Sequence, residues 1–367
     1  MKHKTIFHRP DTYASFPLLR QKGDDIIIGF FVAPVPDHCG LYSWAEMISR
    51  DDGESWENYQ DYDHSDWPCL SSREVSDRFT ASINDVDLMT GSFGFMAAPH
   101  KSKKMKMRKS RSLFQRLSKN DWKSFYHRIY TLPDVDIIVT FPRIFQSGSL
   151  ILIPAYAILK EYDFSRCFVW RSADGGDNFK LWNMFPDSID GNEMAFARGH
   201  DDAILAHIRS DNHPALMESW SDDQGLTWSY PTEAQISYID ADIEKKNQVY
   251  INEIRNVIGG PSHLLELTDG RLLCSFGYRF KKMGIRAMTS KDGGRTWGIP
   301  RILRDDGGYL SSLHKKARPW HRKINICPGN DIGYPVSIQL KDDSILTAYY
   351  VTPKDRVTQI AITKWSA

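Results

Sequence analysis

One eight-residue pattern occurs four times in this chain of 367 residues and constrains the fold more than any other feature. It reads Ser-x-Asp-x-Gly-x-(Thr/Ser/Asn)-(Trp/Phe). The copies are Ser49–Trp56 (SRDDGESW), Ser172–Phe179 (SADGGDNF), Ser221–Trp228 (SDDQGLTW) and Ser290–Trp297 (SKDGGRTW). Such a stretch has the physics of a tight hairpin. The Asp carboxylate accepts hydrogen bonds from nearby backbone N–H groups, Gly accepts a positive φ, and the closing aromatic folds back on the turn. Successive copies are separated by roughly 120, 50 and 70 residues, and repeat periods near 40 to 50 residues are usual for β-propellers, where insertions lengthen them.

The segments around these turns read as strands. They include Ile26 to Val32, Tyr42 to Ile48, Leu150 to Ile158, Cys167 to Arg171, Ala203 to Ile208, Leu272 to Gly277 and Ile285 to Thr289. A further blade without the pattern is expected from about Phe79 to Leu132. The last blade is expected at Pro335 to Leu340, Ile345 to Val351 and Gln359 to Lys364, with Lys4 to His8 supplying its missing strand and closing a ring. The expected fold is therefore all-β: a six-bladed β-propeller of four-stranded antiparallel blades. It forms one domain over 1–367, with insertions near 100–130 and 238–257.

Composition narrows the classes. Lys and Arg total 47 and Asp and Glu 46, a net charge of +1, which excludes a globally basic nucleic-acid binder. The charge is uneven, however. His100 to Asn120 holds bases and no acid, and His314 to Lys323 is a second basic stretch. These are solvated insertions or contacts for an anionic glycan or membrane surface. No apolar run is long enough for a membrane span, and no secretory signal is visible. A cytoplasmic protein is expected, or a secreted one if a leader has been removed. The five cysteines are scattered, without a CxxC pair, which suggests buried thiols rather than a zinc cluster or disulfide framework.

The repeated turn resembles the Asp-box of the sialidase (neuraminidase) superfamily, the BNR-repeat β-propellers, where it joins the third and fourth strands of a blade on the side away from the active site. Longer segments carry the resemblance further. SLILIPAYAILK (Ser149 to Lys160) is similar to the family's third blade. NEMAFARGHDDAILAHIRSDN places Glu193 and Arg209 where the family has a glutamate and an arginine. CSFGYRFKKMGIRAMTSKDGG places Arg279 at another arginine, and DIGYPVSIQLKDDSILTAYY places Tyr334 at the tyrosine. The resemblance covers most of the chain from Ser149 onward and the first 60 residues more loosely.

The resemblance implies an exo-α-sialidase-like glycoside hydrolase that retains configuration. Its substrate is a glycan ending in sialic acid or a related 2-keto-3-deoxy sugar acid. The anomeric carbon of such a sugar carries a carboxylate, which repels a carboxylate nucleophile, and sialidases use Tyr instead. A phenol of ordinary pKa about 10 needs a base to become nucleophilic. By matched position Tyr334 is the nucleophile and Glu193 its base. Arg209 and Arg279 clamp the substrate carboxylate, competing in the latter case with nearby Arg286. Asp37 in APVPDHCGLYSW is the acid/base candidate, with His38 as its alternate, and Tyr156 lines the pocket wall. No metal or organic cofactor is expected; the oligomeric state is left open.

One segment departs from the family. TYASFPLLR (Thr12 to Arg20) has Ala14 or Ser15 where the family's Arg-Ile-Pro motif supplies a first arginine; Arg9, Arg78 and Arg143 are the candidate replacements. Two rival functions follow: a glycan-binding propeller without turnover, and a polysaccharide lyase or other exo-glycosidase in which His38, His200 or His207 moves the proton.

Overall fold

In the computed structural model the described residues are 1–36, 43–59, 74–83, 86–96, 107–118, 121–131, 135–141, 143–159, 165–176, 178–185, 190–210, 213, 215–235, 262–279, 282–316 and 332–367. They are almost entirely β. In chain order the strands are β1 (Lys2–Phe7), β2 (Tyr13–Lys22), β3 (Asp25–Ala33), β4 (Ser43–Ser49), β5 (Glu57–Tyr59), β6 (Glu74–Ile83), β7 (Val86–Met96), β8 (Met107–Ser118), β9 (Asp121–Thr131), β10 (Val135–Thr140), β11 (Phe145–Ser147), β12 (Leu150–Leu159), β13 (Ser165–Ser172) and β14 (Lys180–Asn183). They continue as β15 (Met194–Arg198), β16 (Ile204–Ile208), β17 (Met217–Ser221), β18 (Thr232–Glu233), β19 (Ser262–Glu266), β20 (Leu272–Tyr278), β21 (Gly284–Ser290), β22 (Arg301–Arg304), β23 (Gly333–Gln339), β24 (Ile345–Val351) and β25 (Gln359–Trp365).

Consecutive strands pair antiparallel as β2–β5, β6–β9, β15–β18 and β19–β22. A fifth four-stranded sheet has the order β1–β25–β24–β23. The expectation of six four-stranded blades is thus corrected to five. Strands β10 to β14 form a five-stranded sheet, because the short β11 also pairs with β12 through Phe145↔Leu152 and Ser147↔Leu150. The strand expected at Lys4 to His8 is β1, which pairs with β25 from Lys2↔Lys364 to Phe7↔Ile360. Part of the stretch expected as an insertion near 100–130 is instead the paired hairpin β8–β9, and 238–257 lies outside the described residues. Among the described residues no helix is long and apolar enough to cross a membrane.

The chain divides into two compact units. One comprises Met1–Gln60, Ala195–Asp222 and Ser229–Ala367, the other Asp61–Met194 and Asp223–Trp228. The first buries its core between neighbouring sheets. Leu205, Leu264, Cys274, Phe276, Met288 and Trp297 form one cluster, and Leu273, Ile285, Leu303, Ile345, Tyr349 and Trp365 form another. In the second unit Ile151, Ile153, Ala155, Trp170 and Phe179 pack together.

All four repeated turns connect a third strand to a fourth: β4 to β5, β13 to β14, β17 to β18 and β21 to β22. Their hydrogen bonds explain the residue types. Ser49, Ser172 and Ser290 donate from Oγ to the Oδ1 of Asp51, Asp174 and Asp292 at 2.8, 2.6 and 2.7 Å. Each of these Ser Oγ atoms also accepts from the backbone N–H of Gly53, Gly176 or Gly294. The carboxylates of Asp51, Asp174, Asp223 and Asp292 accept the backbone N–H four residues on at 2.7–2.9 Å. Hydrogen bonds from Ser172 and Asn178 hold the Asp174 carboxyl down to about 2, and Ser55 and Ser49 do the same for Asp51. The glycine is obligatory for two reasons. Gly225 has φ +82°, and a Cβ there would lie 3.0 Å from Leu152 Cδ1.

The first unit also buries two titratable groups opposite each other. His207 on β16 pairs in register with Glu218 on β17, and they are 0% and 4% exposed. Burial drives His207 down to about 3 and Glu218 up to about 8, the latter partly offset by a hydrogen bond from Trp297 and increased by nearby Asp292. Both are therefore neutral at pH 7. Cys274 Sγ lies 3.6 Å from His207 Nδ1.

The signs of these shifts predict an acid-shifted stability optimum. Unfolding frees Glu218 to ionise above its ordinary 4.5, so stability falls as pH rises toward 8; it frees His207 to take a proton below its ordinary 6.5, so stability falls as pH drops toward 3. Between 4.5 and 6.5 the two slopes cancel. Above 6.5 the Glu218 slope of about 1.4 kcal/mol per pH unit remains. Urea titrations across pH should show that limb in the wild type and its loss in Glu218→Gln.

Candidate functional site

Tyr334 is the second residue of β23, and its backbone is unusual. It has φ +48° and follows Gly333 at φ +128°. The β23–β24 register shifts between Gly333 and Val336, so the regular ladder breaks where the tyrosine stands. A bulky residue at positive φ is a true outlier, and such strain costs about 1–3 kcal/mol. It persists because the neighbours fix it. A Cβ on Gly277, at the end of β20, would lie 3.0 Å from Gly333 Cα and 3.2 Å from Ile332 O. The absence of a side chain there lets the two backbones meet. Arg279, just beyond β20, donates from Nε to Ile332 O at 3.4 Å.

The Tyr334 ring is buried among aromatics. Phe16 meets it edge-on at a centroid distance of 4.5 Å, and Tyr350 stacks on it at 5.9 Å. Phe16 also touches Tyr350 at 5.6 Å and Phe31 at 6.2 Å. Phe16 itself has φ +52° and sits at a register shift between Ser15 and Leu18. It precedes Pro17, and a residue before proline ordinarily takes an extended conformation with negative φ. Two strained aromatic residues thus face each other. Phe16 and Tyr350 were not legible as site residues, although FP in TYASFPLLR and YY in LTAYY were visible as bare motifs.

The structure brings Tyr334 and Arg279 together through Ile332. Arg209 follows directly on β16 and is partly buried. Arg286, the competitor of Arg279, is a structural residue. It is 1% exposed, lies 4.7 Å from the Tyr278 ring, and donates to the carbonyls of Lys282, Ile285 and Arg304. Of the replacement arginines, Arg9 lies over the Phe7 ring at 5.1 Å, and Arg78 lies on β6. The positions expected to carry an arginine, Ala14 and Ser15, are fully buried on β2. Asp37 and His38 lie outside the described residues.

Three of the named residues belong to the second unit. Glu193, immediately before β15, is 8% exposed, and its N–H donates to Asn192 Oδ1 at 2.7 Å. Tyr156 stands in mid-β12, paired with Val139 and Cys167, and is partly exposed. Arg143 is buried over the Phe141 ring.

The histidines of the lyase reading fare differently. His200 sits on a 3-10 turn, its N–H bonded to Gly293 O and its ring beside Arg295 and Asp201, at the fourth repeated turn. His207 is buried and neutral, as described above. Among the described residues no group of three or more His, Cys, Asp or Glu side chains gathers as a metal site would.

Comparison with solved structures gives this architecture a class. A protein of unknown function from Dyadobacter fermentans superposes over 100% of this chain and 98% of its own, with TM-score 0.71 and 19% identity. The Hadza microbial sialidase matches over 96% of this chain and 66% of its own, at TM-score 0.64 and 15% identity. The Trypanosoma rangeli sialidase in complex with 2,3-difluorosialic acid, a covalent intermediate, matches over 96% of this chain and 54% of its own, at TM-score 0.61 and 10% identity. The fold is that of the sialidase-like β-propellers. This chain spans between half and two thirds of those two sialidases. No protein-family model and no curated protein matches its sequence.

The close approach of Gly277 to Gly333 is testable. Gly277→Ala places a methyl against backbone on both Ile332 and Gly333. It is expected to cost about 1–3 kcal/mol in urea unfolding and to alter the near-ultraviolet circular dichroism of the Phe16–Tyr334–Tyr350 cluster.

Proposed function

We propose that the chain is a retaining exo-glycosidase, built as a single propeller domain over 1–367, that removes a terminal sialic acid or related 2-keto-3-deoxy sugar acid. The observation that carries this reading is Tyr334. It is a tyrosine held at φ +48° by glycine-permitted backbone contact, at the strand start where the sialidase resemblance puts the nucleophile. The four repeated turns, read as Asp-boxes, support the same assignment.

In this reading the Tyr334 phenol attacks the anomeric carbon and Glu193 takes its proton. Asp37 protonates the departing oxygen as the glycosidic bond breaks. Water then attacks the glycosyl-tyrosine, Asp37 receives its proton, and the phenol is restored by Glu193. Arg209 and the Nη atoms of Arg279 hold the substrate carboxylate, and Tyr156 lines the pocket. The basic stretch around 100–120, whose described part is β8, is assigned to contact with an anionic glycan or membrane surface.

A second reading, a glycan-binding propeller without turnover, is favoured by one observation: strand β2 presents Phe16, and not a cation, toward Tyr334. In the lyase reading, His207 is buried and His200 lies at a repeated turn, which leaves His38, outside the described residues, to move the proton. A panel of α-sialosides and related keto-deoxy glycosides separates them. Tyr334→Phe and Glu193→Ala should each lower turnover by about 100-fold or more at unchanged melting temperature. Wild-type rates in both would sink the mechanism, and binding without sugar release would establish the second reading.

A further inference from the structure

We infer that Phe16 is a positioning residue for Tyr334, fixing the phenol for attack by edge contact from a different sheet. This rests on the reading of Tyr334 as nucleophile and goes beyond it, since nothing in the resemblance assigns a role to position 16. Strand β2 pairs with β3 and strand β23 with β24, in separate sheets, and the Phe16 and Tyr334 rings meet from these two sheets. Each strand breaks its ladder at the residue that presents a ring: Phe16 between Ser15 and Leu18, Tyr334 between Gly333 and Val336. Both hold positive φ to do so, Phe16 against the added restriction of Pro17.

The product of these two departures is a 4.5 Å contact at 83°, the edge-to-face geometry that aromatic pairs prefer. Tyr350 stacks on the other partner of the pair, at 29° to Tyr334. Tyr350 is fully buried and Phe31 is 4% exposed, so the rings behind the contact are fixed. Phe16 is only half-buried. Phe16 holds a strained backbone while its ring meets the buried Tyr334, Tyr350 and Phe31, which makes sense as a stop that sets where the Tyr334 ring rests. Misplacing a reacting group by about 1 Å can cost about 100-fold in rate.

The probe is 2,3-difluorosialic acid, and the readout is the mass of the intact protein with the modified residue mapped by peptide sequencing. Wild type should acquire one adduct on Tyr334. Phe16→Leu should lower the limiting rate of adduct formation by about 10- to 100-fold. The probe concentration for half-maximal rate and the melting temperature should stay near wild type. Phe16→Tyr, which restores a ring, should recover the rate to within about threefold. Phe16→Met serves in place of the leucine variant if that one does not fold. A wild-type limiting rate in Phe16→Leu overturns the positioning role while leaving Tyr334 as nucleophile. A loss confined to probe affinity overturns it too, making Phe16 a substrate wall. Absence of an adduct on wild-type Tyr334 overturns both the nucleophile and the role of Phe16.

Discussion

The carboxylate at the centre of each repeated turn is the interaction on which the described sheets most depend. An aspartate that accepts a serine hydroxyl, a backbone N–H and the side chain four residues on leaves the chain one path from third strand to fourth. That path sets where the fourth strand begins and so fixes the register of the sheet behind it. It also places the turn glycine against a neighbouring aliphatic side chain, as Gly53 lies near Leu346 and Gly294 near Leu205. Local turn chemistry and packing between sheets are thereby joined in one residue. Within the turns the serine hydroxyl, the aspartate carboxylate and the following backbone N–H groups are spent on one another.

At Tyr334 the logic is reversed. There the backbone is not relaxed by its local sequence but held against its preference by neighbours, with Gly277 admitting the close approach and Arg279 tying down Ile332. Strain of this kind persists only where the surroundings sustain it. Arg286 makes the contrast. It lies seven residues from Arg279, carries the same charge, and spends it on the carbonyl groups of Lys282, Ile285 and Arg304. Two arginines on one hairpin are separated by what accepts their protons.

Much of this architecture was legible because it is encoded locally. Asp-x-Gly spacing declares a turn, and the apolar runs of Leu150–Leu159 and Ile345–Val351 declare buried strands. What was hidden depends on register. Nothing in TYASFPLLR announces a bulge, so Ala14 or Ser15 stood out as a vacant cation position while Phe16 passed unremarked. The pre-proline rule even pointed the wrong way for its backbone. Strand β8 was obscured for another reason: the basic residues of MRKSRSLFQRLS suggested an insertion, although the backbone pairs with β9 from Arg111↔Thr131 to Leu117↔Phe125. The second strand-pairing of Leu150–Leu159, with β11, was equally invisible, since three residues carry no period.

The pairing of β1 with β25 has a consequence for how the protein folds. The two strands are far apart in sequence, from Lys2↔Lys364 to Phe7↔Ile360, so β1 waits for its partner until that long loop is closed. Until then its hydrogen-bonding edge stays open, while the sheets between can form without it. Contacts of such long sequence separation close slowly and late. Closure of this one sheet therefore depends on β25: without Gln359–Trp365, β1 would keep an unpaired edge open to wrong partners.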